Sequence, residues 1–193
     1  MHSLRHLTPD TNVQQPRQSS TTADKAGIDS IRSLGVGLLM AGAAAGAQAA
    51  GKTVSVTEQV ELAAAPAQTW AAIKDFNGWQ AWHPAFASTE ITKGQGNAKG
   101  TVRVLTAKDG ARFTKELVSH NAASRSYQYR ITESPLPITG YVSTLEVKRN
   151  PGGSSVVWSS HFEVKAGASE EEVKKVIAGV YRAGLDNLGT VVK

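Results

Sequence analysis

Between residues 86 and 164 the chain is cut into six short stretches, each alternating apolar with polar residues and each ended by turn chemistry such as "KGQGNAKG", "KDG" and "RNPGG". The alternation predicts strands near 86–92, 101–107, 112–119, 126–134, 141–148 and 155–164. A parallel pair needs a crossover of about a dozen residues or more, and these connections are too short for one. The stretch must therefore fold as an antiparallel meander.

What flanks the meander decides how its apolar face is covered. "TVSVTEQVEL" alternates and predicts a first strand over Thr53–Leu62. "APAQTWAAIKDF" follows as a short helix, with Pro66 suited to its first turn, Trp70 and Ile73 three apart on one face, and Asn77-Gly78 as its stop. Trp79 and Trp82 then stand at helical spacing, but Pro84 disfavours helical geometry at His83, so a single turn is expected. At the far end, "SEEEVKKVIAGVYRAGLDNLGTVV" predicts a long helix. Ser169 and Glu172 have capping-box spacing, the acidic residues sit at the positive end of the dipole, and Val173, Val176, Ile177, Val180 and Tyr181 form a stripe. The large apolar surface open to that stripe is one face of the sheet. The predicted class is α+β: a curved antiparallel sheet of about seven strands around a long C-terminal helix, with two short helices after the first strand. Such packing tends to enclose space, and a cavity between sheet and helix is a natural ligand site.

Every Phe, Trp and Tyr lies beyond residue 69, which separates this domain from what precedes it. The first thirty residues are rich in Ser, Thr, Gln, Asp and Pro and lack the apolar surface to offset ordering, so no packed structure is expected there. "RSLGVGLLMAGAAAGAQAAG" then has the order of a secretory signal: Arg32, an apolar run from Leu34 to Ala45, and small residues at Ala47 and Ala49. Residues 1–49 are thus read as a leader with a signal peptide cleaved near Ala49, residues 50–193 as the mature domain, periplasmic or secreted. The apolar run is too short and too rich in Ala and Gly for a permanent membrane span. The absence of cysteine removes disulfides and thiolate chemistry. The charge of +5 is spread without a basic block, so nucleic acid is not an expected partner.

Few residues stand out as chemical. Trp79, Trp82 and His83 can form an aromatic wall with a polar tip; the same cluster can serve only as packing. Tyr127 and Tyr129 share one strand face with Ile131, Tyr141 shares one with Ser143 and Leu145, and Trp158 and Phe162 share one that excludes His161. If those faces are concave, the tyrosine hydroxyls and the Glu133 carboxylate supply the polar groups of a pocket, to which the helix adds Ile177 and Tyr181. His120 lies in "SHNAAS", a turn composition, and a surface place is expected for it and for His161. No His pair has metal-site spacing, and "GQGNAKG" lies between strands rather than opening a helix, so neither a metal nor a nucleotide cofactor is expected.

The order of elements, together with "PAQTWAAIKDFNGWQAWHPA", "ESPLPITGYVSTLEV" and "SSVVWSSHFE", resembles the START-like or SRPBCC superfamily, in particular its exported polyketide cyclase/dehydrase or MxaD-like branch, from about Val54 to Val192. The resemblance implies a helix-grip fold with "ESPLPITGY" as a loop at the cavity mouth, adding Pro135 and Leu136 to the expected ligand-binding set. That loop is similar to the closing loop of plant abscisic acid receptors but has Pro135 where those have glycine, which should stiffen it. Binding or transport of a small hydrophobic molecule or lipid is the function implied. A cyclase or dehydratase using His83, Glu133 or Tyr141 as acid or base is an alternative, and an accessory protein docking on an exported dehydrogenase is another.

Overall fold

The computed structural model describes residues 52–192; the expected leader and its cleavage site lie outside them. Seven strands form one sheet in the order β1-β7-β6-β5-β4-β3-β2, all neighbours antiparallel. They are β1 (Thr53–Leu62), β2 (Phe86–Lys93), β3 (Val102–Ala107), β4 (Arg112–Asn121), β5 (Ser126–Glu133), β6 (Ile138–Asn150) and β7 (Gly153–Val164). Helix α1 (Pro66–Ile73) and a 3-10 turn (Trp79–Ala81) link β1 to β2, and helix α2 (Glu170–Val191) closes the chain. The helix-grip architecture is the one the sequence predicts.

The meander accounts for six adjacent strands; only β1 departs from sequence order, pairing in unbroken register with β7 from Thr53↔Glu163 to Leu62↔Ser154. Gly153 allows this turn-in. Its φ is +142°, and a Cβ there would stand 2.4 Å from the Leu62 carbonyl oxygen. Register shifts interrupt β2–β3, β4–β5 and β6–β7, and such bulges bend a sheet and raise its twist. The result is the curvature that α2 fills.

Three polar contacts fix the helices to the sheet. Thr69 Oγ1 of α1 and Ser154 Oγ of β7 are 2.8 Å apart and buried. The Arg182 guanidinium of α2 donates to the Gln59 carbonyl of β1 at 2.7 Å and pairs with Glu58. Asn187 Nδ2 donates to the Trp82 carbonyl at 2.8 Å, tying α2 to the 3-10 turn. At the start of α2, Ser169 Oγ accepts from the Glu172 amide, half of the expected capping box.

Some predicted boundaries shift. Helix α1 ends at Ile73, short of the expected stretch to Phe76, because the chain turns at Asp75–Gly78. Strand β6 begins at Ile138 rather than 141, since Ile138 and Thr139 already pair with Val164 and Glu163 of β7. Strand β4 runs to Asn121, so His120 is on a strand and not in a turn; its Nε2 meets the Lys74 carbonyl at 3.0 Å and its ring stacks on Tyr127. The turn expected for His120 is thereby corrected to a strand, where the ring is half-buried, while His161 is exposed.

Candidate functional site

The cluster that opens at Trp79 is assembled by close packing. Trp79, Trp82 and His83 are at most 1% exposed, with Trp79 edge-on to Trp158 and His83 stacked against Trp79. Helix α2 approaches them at Gly184, where a Cβ would lie 2.6 Å from His83 Cδ2 and 3.0 Å from Trp82 Cζ3. His83 Nδ1 accepts from the Ala85 amide at 3.2 Å, and Nε2 faces the Val180 carbonyl at 2.9 Å, which makes Nε2 the protonated nitrogen. Both ring nitrogens are thus engaged. Burial, aided by the Lys115 charge, lowers its pKa to about 4.

Beyond this cluster the sheet and α2 separate and leave a cavity of about 480 Å³, within the usual range for small-molecule sites. Phe86, Phe113 and Ile131 form apolar walls, and the exposed Val176 of α2 lies along it. Lys108 and Asp109, at the exposed tip of the β3–β4 hairpin, border the opening. So do Pro135 and Leu136 of the β5–β6 loop. Two bonds pin this loop: the Leu136 amide donates to Ser134 Oγ at 3.1 Å, and the Lys165 amide to the Pro137 carbonyl at 2.9 Å.

Of the residues expected to meet a ligand, Pro135, Leu136, Tyr141, Trp158, Ile177 and Tyr181 line this cavity. Trp79, Trp82, His83, Tyr127, Tyr129 and Phe162 are buried behind the lining as core. Glu133, expected as a pocket carboxylate, is exposed at the end of β5, where it accepts from Thr114 Oγ1 at 3.0 Å and borders a second pocket of about 380 Å³ that shares Ile131 and Tyr141 with the first. Alternation puts it two residues beyond the lining Ile131 on the same face, but the register shift at Thr114/Lys115 turns the end of β5 away from the interior.

The inner hydroxyls are occupied with one another. Trp158 Nε1 donates to Tyr129 Oη at 3.1 Å and to Ser143 Oγ at 3.0 Å; Ser143 Oγ donates to the Ser159 carbonyl at 2.8 Å; and the Tyr141 and Tyr181 hydroxyls bond to each other. Burial, reinforced by Tyr129 and Tyr181, holds the Tyr141 phenol well above its ordinary pKa, so it keeps its proton.

Two residues that sequence reading did not single out change the character of the site. Arg103 of β3 is 0% exposed and Lys115 of β4 is 4% exposed, and they are direct cross-strand partners. Arg103 lies between the Phe76 and Trp79 rings, 3.9 and 4.2 Å from their centroids, and none of its three side-chain nitrogens has a hydrogen-bond partner. Lys115 Nζ lies 4.2 Å from the Trp79 centroid and 4.8 Å from that of Tyr129, and it lines the cavity. Among the described residues neither forms an ion pair. Ring faces stabilise a desolvated cation by about 2 kcal/mol, less than the several kcal/mol that burying a charge costs. Accordingly burial brings Arg103 down to about 10, and burial with the neighbouring Arg103 charge pushes Lys115 well below its ordinary value. The signal was present in "TVRVLTAKDGARFTKELV": alternation from Leu105 and Leu117 puts both cations on the inward face.

Among the described residues no group of three His, Asp or Glu side chains is arranged to hold a metal ion, and no helix is long and apolar enough to cross a membrane. Comparison with known proteins gives a match over residues 53–193 to the family model described as polyketide cyclase/dehydrase and lipid transport. Similar solved structures include an uncharacterized protein from Bacillus thuringiensis, 33% identical with a TM-score of 0.66, covering 72% of this chain and 98% of that one. XoxI from Bacillus cereus is 29% identical with a TM-score of 0.60, covering 75% and 96%. Ara h 8.0201, at 21% identity and a TM-score of 0.62 over 73% and 98%, shares the fold.

Proposed function

Because the chain belongs to the polyketide cyclase/dehydrase and lipid transport family, and its sheet and α2 part around an apolar cavity, we propose that it binds and carries a small hydrophobic molecule or lipid there. The observation that carries this reading is the cavity itself, about 480 Å³ and walled largely by aliphatic and aromatic side chains. Burying a methylene is worth about 0.8 kcal/mol, so a ten-carbon chain gains on the order of 8 kcal/mol before association costs are subtracted. Micromolar binding follows without any specialised residue. Native mass spectrometry of the purified full chain tests it: a co-purifying organic molecule, released on denaturation, is the expected result, and a ligand-free protein that takes up no added alkyl probe contradicts it.

Catalysis by a cyclase-type mechanism is less well supported. It needs an acid and a base facing one space; of His83, Glu133 and Tyr141 only Tyr141 borders the apolar cavity, and where Glu133 and Tyr141 share the second pocket the Tyr141 hydroxyl is already bonded to that of Tyr181. A periplasmic site of action is part of the proposal and is supported by the signal-like order of residues 32–49. Cell fractionation checks it, and pull-down from the same extract checks for an exported protein partner, which the MxaD-like stretches suggest.

A further inference from the structure

Resting on the carrier reading, we propose that the guest is a carboxylate-bearing acyl chain whose head group enters first and pairs with Lys115. Three observations converge on that residue. It is buried yet lines the cavity. Its cross-strand neighbour is a second buried cation, although like charges directly opposite destabilise a strand pair. Finally, no acidic side chain pairs with either one: Asp109 borders the cavity at the exposed hairpin tip and accepts from the Ala111 amide, and Asp75, whose charge acts on Arg103 but not on Lys115, is exposed and accepts from the Asn77 amide.

A sheet that holds two cations inward without a paired anion is incomplete as a purely structural arrangement, since packed apolar residues of equal volume would serve better. It becomes complete when the guest supplies the negative charge. The walls beyond Lys115 are apolar, so the remainder of the guest is an alkyl or polyketide-like chain running toward Leu136 and Val176. The tyrosine and tryptophan polar groups that line the cavity, those of Tyr141, Trp158 and Tyr181, are already bonded, which leaves the Lys115 amine as the buried donor free for the head group.

Isothermal titration of the full chain with decanoate, decan-1-ol and decyltrimethylammonium at neutral pH tests this. Charge-assisted pairing in a desolvated site predicts that decanoate binds about tenfold or more tightly than decanol, with the cationic probe weakest. Lys115→Met, close in length and without charge, should abolish the preference for decanoate over decanol. Equal binding of decanoate and decanol by the unmodified protein overturns the head-group assignment while the carrier reading stands. So does an undiminished decanoate preference in Lys115→Met. Failure of all three probes to bind overturns both.

Discussion

At the scale of single residues, His83 illustrates how packing decides chemistry. Its two ring nitrogens are spent on the Ala85 amide and the Val180 carbonyl, and Gly184 passes close enough that any side chain there would collide with the imidazole. Gly184→Ala should therefore destabilise the protein by about 1–3 kcal/mol, read from urea unfolding, as overpacking generally does. The histidine also sets a pH dependence. Its folded pKa of about 4 lies below the ordinary 6.5, so between these values the unfolded chain binds a proton that the folded chain refuses. Its contribution is fully present above pH 6.5 and is lost as pH falls toward 4, at a limiting slope of about 1.4 kcal/mol per pH unit. Unfolding midpoints across that window check the sign, and His83→Gln should flatten the slope. Lys115 acts in the same direction at higher pH, since its folded pKa is depressed as well. Lys115→Met should stabilise the empty protein by about 1–4 kcal/mol, as replacement of buried charge by packed apolar atoms often does, and thermal unfolding checks this.

At the scale of elements, the sequence disclosed more of the strands than of their faces. Six short alternating stretches with tight turns admit little besides an antiparallel meander, and the Ser169 cap with its following stripe defines α2. Missed were the features that depend on register: the bulges that turn Glu133 outward, the extension of β4 that carries His120 against Trp70, and the inward pairing of Arg103 with Lys115. A charged residue in an alternating strand is ordinarily read as solvent-facing, and here the alternation itself said otherwise. The aromatic cluster was legible as a cluster, but its division into lining and core was not. That division depends on where α2 touches Trp82 and His83 at Gly184 and where it lifts away at Val176. The lifted segment carries its own prediction. Ile177→Trp, projecting from α2 into the cavity, should fill it and weaken decanol binding by about tenfold or more, with circular dichroism showing the fold retained.

At the scale of the whole molecule, the account reduces to one physical statement: a bent sheet and a helix that grip each other at one end leave an enterable apolar space at the other. The gripping end is dense with aromatic rings, and the open end is ringed by a hairpin tip, a pinned loop and the first half of α2. The direct measurement is a heteronuclear NMR titration of the full chain with decan-1-ol. The account predicts saturable, micromolar shifts concentrated at Ile131, Leu136, Ile177 and Tyr181, with the gripping end around Ile73 and Leu188 unmoved. An absence of shifts, or weak shifts scattered over the outer face of the sheet, would contradict it.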